Sequence, residues 1–132
     1  MSYTDVEKYL GATLAEHGFV RYAVEPDITW RDAPAWAVYY RSPDCKLQVC
    51  ASDREGGDLV LLAALDAADV FGFASESVRS WSTPRMLDRV KDAIGRPPEY
   101  GSGEQAVWEW HRKVLEALLA AACAALVDRG AP

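Results

Sequence analysis

The chain has 132 residues, of which half are hydrophobic and 26% charged, with a net charge of −6 and a pI near 4.8. Two independent halves of such a length would bury too little surface to fold unaided, so the expectation is a single domain over residues 1–132. The composition excludes a disordered chain, and the acidic balance excludes general nucleic-acid binding, which needs a basic surface to displace counterions from phosphate.

Thr4-Asp5-Val6-Glu7 reads as a capping box opening a first helix, with Val6, Leu10 and Leu14 on its apolar face and Gly18 as a left-handed stop. Phe19 to Val24 follows as a candidate strand that Pro26 breaks, and Glu25 to Ala35 then reads as a loop carrying Trp30. Three apolar runs come next: WAVYYR from Trp36, KLQVCAS from Lys46 and LVLLAAL from Leu59. Their β-branched and aromatic content, and the turn residues between them, predict a strand meander. Pro43 and Asp44 serve the first turn, Gly56 and Gly57 the second. The third run is apolar on both faces, so both must be covered or the strand must be central.

Beyond Asp66 the periodicity dissolves as far as Trp81. Thr83 before Pro84 starts a short helix with Met86, Leu87, Val90 and Ile94 inward and Gly95 at its end. Ser102 with Gln105 caps a last, alanine-rich helix with Trp108, His111, Val114, Leu115, Leu119 and Ala122 among its inward positions, and with Trp110 pointing outward. Strands grouped between terminal helices define an α+β class: a mostly antiparallel four-stranded sheet packed by N- and C-terminal helices.

Chemistry-bearing patterns are sparse. His17 and His111 have no HExxH or CxxC beside them, which gives no expectation of a metal, and no phosphate cradle or other cofactor motif is present. Without a GxSxG, and with Cys50 among apolar strand neighbours, nucleophilic catalysis is not expected, so the chain reads as a non-enzyme. Cys45, Cys50 and Cys123 are odd in number and widely spaced, a pattern that points to three free thiols in a reducing cytoplasm. The N-terminus has no secretory pattern, and the longest apolar run, Ala117 to Val127, is shorter than the ~20 residues that cross a bilayer, so neither a membrane nor a nucleic acid is an expected partner.

One asymmetry stands out. Asp53, Glu55, Asp58, Asp66, Asp69 and Glu76 face a single cation, Arg54, over one stretch, while Arg79, Arg85, Arg89, Lys91 and Arg96 dominate the next. Arg85 and Arg89 have acids three residues on, at helical spacing, whereas the acidic stretch has few local partners. Its six acids are therefore the candidate binding residues, with Trp30 and Trp36 as apolar anchors, because charge steers an encounter and desolvated aromatics hold it.

The WAVYY strand, the SDREGG turn and LLAALDAADVFGF together resemble the small cytosolic immunity proteins of bacterial polymorphic toxin systems, over about Trp36 to Trp81. The resemblance implies a small acidic α+β domain, cytoplasmic, that binds and occludes one basic toxin or effector domain without turnover. Two other readings stay open: a dimeric secretion-type chaperone, with the last helix at the subunit interface, and a small-molecule-binding domain or enzyme, with a pocket lined by Tyr22, Tyr39 or Trp36. Monomer and homodimer are both compatible with these residues.

Overall fold

The computed structural model describes residues 2–53, 57–74, 81 and 103–130. Within them the order is α1 (Thr4–Glu16), β1 (Val20–Trp30), β2 (Ala33–Arg41), β3 (Lys46–Ser52), β4 (Gly57–Ala63) and α2 (Glu104–Gly130). The strands form one antiparallel sheet in chain order, with a helix at each end of the sequence, which is the expected α+β plan. The short helix expected over Thr83 to Gly95, the turn glycine Gly56 and the capping residue Ser102 lie outside the described residues.

Helix α1 starts differently from the expected capping box. Its N-cap is Tyr3, without a side-chain cap bond, and the reciprocal pairing falls two residues earlier: the Ser2 amide donates to Asp5 Oδ2 at 2.9 Å, and the Asp5 amide to the Ser2 carbonyl at 3.0 Å. Glu7 is taken elsewhere, accepting the Tyr40 hydroxyl from β2 at 2.6 Å. A part-buried phenol left without a partner costs more than an exposed helix amide gains from a carboxylate, and the longer-range bond wins. The helix ends as expected. Gly18 takes φ +81°, its amide donates to Ala15, and the Phe19 amide reaches back to Leu14, so both halves of a Schellman motif are in place.

Strand β1 corrects the expected loop. It runs on through Pro26 to Trp30, with register shifts between Arg21 and Ala23 and between Glu25 and Ile28. Pro26 is tolerated because β1 is an edge strand and the proline falls within the second irregularity, where no ladder bond is interrupted. Arg31 and Asp32, at φ 50° and 65°, then close a two-residue turn onto Ala33. The next turn is held by Ser42 and not by Asp44: the Ser42 hydroxyl accepts the amides of Asp44 and Cys45 at 3.1 and 3.2 Å.

The period-two alternation sorts side chains onto two faces. Trp36, Val38 and Tyr40 of β2, Leu47, Val49 and Ala51 of β3, and Val60 and Leu62 of β4 face the helices, where Val6, Leu10 and Leu14 of α1 and Trp108, Leu115 and Leu119 of α2 meet them. The Tyr9 and Trp108 rings stack between the helices at 5.9 Å. Cys45 and Cys123 belong to this core and form a disulfide, with Cα atoms 5.9 Å apart across a separation of 78 residues. This corrects the expectation of three free thiols. Spacing along the chain does not register that the start of β3 and the inward stripe of α2 converge, and only Cys50 lies outside a disulfide.

On the opposite face Ala37, Tyr39, Cys50, Leu61 and Ala63 are also buried. Strand β4 is therefore covered on both faces, although it lies at the end of the strand order. Among the described residues, the cover on this side includes irregular chain from residues 64–74 and Trp81. Trp110, expected to point outward, is half-buried.

Candidate functional site

Two pairs of strand ends meet at one end of the sheet. The β1–β2 turn at Arg31 and Asp32 lies there, and the Asp53 amide at the end of β3 donates to the Pro34 carbonyl at 3.0 Å, binding the neighbouring hairpin to it. Trp30, the last residue of β1, is half-buried and meets Phe71 edge-on at 5.6 Å; Phe73 follows at 5.5 Å from Phe71. The Arg31 guanidinium lies 5.5 Å from the Trp30 ring centre. Asp32 in the β1–β2 turn and Asp53 at the end of β3 are exposed at this end of the sheet, and Asp27 is exposed three residues before Trp30. The arrangement offers apolar rings for desolvation and carboxylates for a cationic counterpart, the two ingredients of a protein contact.

The other expected residues are distributed more widely. Asp66 and Asp69 lie beyond the far end of β4, near Lys46 at the start of β3; Asp53 follows Ser52 at its other end, a strand length of about 20 Å at ~3.3 Å per residue. Asp66 is exposed, but Asp69 is engaged: it accepts the Tyr22 hydroxyl at 2.7 Å and the Lys46 ammonium at 3.1 Å. Asp58 pairs with Ala51 in the ladder, and Glu55 and Glu76 lie outside the described residues. Trp36 is 9% exposed and belongs to the helix-side core, so its ring supports the fold. Phe71 and Phe73 were not expected at a site, and Asp32 was expected only as an acid of the loop that carries Trp30. The signal for Asp32 was present in the two-residue gap between the runs that end at Trp30 and begin at Ala33.

The second face of the sheet is electrostatically distinctive. The Gln48 side chain, fully buried on β3, donates from Nε2 to the Val70 carbonyl at 3.0 Å and accepts the Gly72 amide on Oε1 at 2.8 Å. Lys46 donates to the Ala67 carbonyl at 2.7 Å, and Trp81 Nε1 to the Ala68 carbonyl at 2.9 Å. Beneath them the Tyr39 hydroxyl is buried without a hydrogen-bond partner. Burial, reinforced by the carboxylates of Glu25 and Asp69, holds Tyr39 well above the ordinary phenol range. Tyr22 is raised by burial and by its bond to Asp69, and Tyr40 by burial and by its bond to Glu7.

Among the described residues no group of three or more His, Cys, Asp and Glu side chains could hold a metal ion, and no helix is long and apolar enough to cross a membrane. The His17 ring is bonded through Nδ1 to the Thr13 carbonyl at 2.9 Å, and the His111 ring lies 6.0 Å from that of Trp108. Comparison with protein-family models, curated proteins and solved structures finds no match to this chain.

Proposed function

We propose that the chain is a non-enzymatic interaction protein of the immunity type, which binds and occludes a basic toxin or effector domain. The observation that carries the reading is the half-buried row of Trp30, Phe71 and Phe73, with Asp32 and Asp53 exposed at the same end of the sheet. Half-buried aromatics gain by being desolvated in a complex, and the surrounding acids favour a cationic partner surface and speed its approach. Of the acids that the sequence singles out, Asp53 belongs to this surface, whereas Asp69 is spent on internal bonds and Asp66 stands at the opposite end.

The test is capture of the partner from the native host by the tagged chain, across a salt series. The expected result is a basic protein whose capture weakens with salt and is lost in the Asp32→Lys, Asp53→Lys double variant, while Asp66→Lys binds as before. Equal capture by the wild type and the double variant would remove the hairpin end as the contact. Capture that is insensitive to salt would remove the electrostatic part of the reading.

A further inference from the structure

The middle of the second face of the sheet is more deeply buried than the segment that lies on it. Ala37, Tyr39, Gln48, Cys50 and Ala63 have no exposure at all, whereas every residue of the segment 64–74 that covers them is half-buried or exposed. The segment joins no ladder with the sheet. Among the bonds that hold it are side chains that reach its backbone: Gln48 to Val70 and Gly72, Lys46 to Ala67, and Trp81 to Ala68, with the Tyr22–Asp69 bond at its margin.

Two further observations bear on how firmly it sits. The Tyr39 hydroxyl beneath it has no partner, and such a group opposes closure, because water satisfies it only when the cover is away. Gly72 rests so closely on the sheet that a Cβ there would lie 2.5 Å from Cys50 Sγ and 2.5 Å from a Leu61 methyl. A segment that adds no strand to the sheet, and whose own residues are half-buried or exposed, opens at lower free energy than the strands beneath it.

We propose that residues 64–74 form a strap that lifts from the sheet as a unit while the domain stays folded, exposing the face of Tyr39, Cys50 and Leu61. The fold then has two states, one with the aromatic face covered and Gln48 engaged, the other with that face open and the Tyr39 hydroxyl hydrated. The inference does not depend on the proposed partner, since it concerns the strap's own attachments.

Cys50 reports on this motion directly, because its sulfur lies beneath Gly72. The experiment is labelling of the full, non-reduced chain with an aromatic disulfide reagent, the adduct being located at Cys50 by peptide mass spectrometry. Its rate is compared with global unfolding followed by circular dichroism over a denaturant series. Labelling is expected at least tenfold faster than global unfolding allows, with little dependence on denaturant. Gln48→Leu, and independently Lys46→Met, should raise the ratio of labelling to global unfolding about fivefold or more, and Tyr39→Phe should lower it. Labelling that keeps the full denaturant dependence of global unfolding, or that responds to neither Gln48→Leu nor Lys46→Met, overturns the proposal.

Discussion

Gln48 holds Gly72 by a bond of 2.8 Å from the backbone amide to the side-chain oxygen, while its own NH2 group donates to Val70. One side chain thus supplies to the strap the donor and acceptor that a neighbouring strand would have supplied. The pairing works only because nothing projects from Gly72 toward Cys50 and Leu61. Gly72→Ala is expected to cost about 1–3 kcal/mol through overpacking. That would appear as a fall in Tm of several degrees by calorimetry, since about 1 kcal/mol corresponds to ~3–5 °C in a chain of this size. Combined with Gln48→Leu the loss should be less than additive, because both changes release the same contact.

The Cys45–Cys123 bond closes a long loop between the sheet and α2. Loop-closure entropy for a separation of 78 residues predicts a stabilisation of about 4.5 kcal/mol. Reductant, or the Cys45→Ser, Cys123→Ser pair, should therefore lower the denaturation midpoint strongly, while reductant has no effect on the double variant. A midpoint unmoved by reductant in the wild type would show that the bond contributes nothing to stability.

Three of the six tyrosines, Tyr22, Tyr39 and Tyr40, have phenols raised above their ordinary value, first of all by burial. Because the folded state holds these groups neutral, their contribution to stability is complete below the unfolded pKa of about 10 and is lost as pH climbs toward the folded value. Stability should be insensitive to them at neutral pH and should fall above about pH 10. In a spectrophotometric titration, ionisation of Tyr22, Tyr39 and Tyr40 should coincide with the loss of circular dichroism. Tyr40→Phe should flatten part of that alkaline slope. It also removes the donor to Glu7.

Asp69 has a structural role that sets it apart from the exposed acids. Since it accepts from both Tyr22 and Lys46, Asp69→Asn should lower stability by about 1–2 kcal/mol in denaturant titrations. Asp53→Asn, at an exposed position, should stay within about 0.5 kcal/mol of the wild type. Partner capture should respond in the reverse order, and a Trp30→Ala variant should retain the fold while losing most of its capture.

The strand meander and terminal helices could be read from local signals: alternation in WAVYYR and KLQVCAS, the stop at Gly18, and the spacing of Trp108, Leu115 and Leu119. What escaped was set by contacts distant in sequence. Pro26 looks like a break until β1 is known to be an edge with an irregular register. Glu7 looks like a capping residue until Tyr40 is placed above it. Cys45 and Cys123 look like separate thiols until a helix crosses the sheet. The acids between Asp53 and Glu76 form one stretch in the sequence, yet the length of β3 separates Asp53 from Asp66 and Asp69. A charge count along the chain measures neighbourhood in sequence, and an antiparallel meander exchanges it for neighbourhood across strands.

The turn between β1 and β2 places an arginine and an aspartate, both at positive φ, where an Asn-Gly pair would sit without steric objection. Replacing Arg31→Asn and Asp32→Gly should therefore make the protein harder to melt. The native bend forgoes that gain and keeps two opposite charges at its tip, and the relaxed double variant would separate what those charges do from what the bend's shape does.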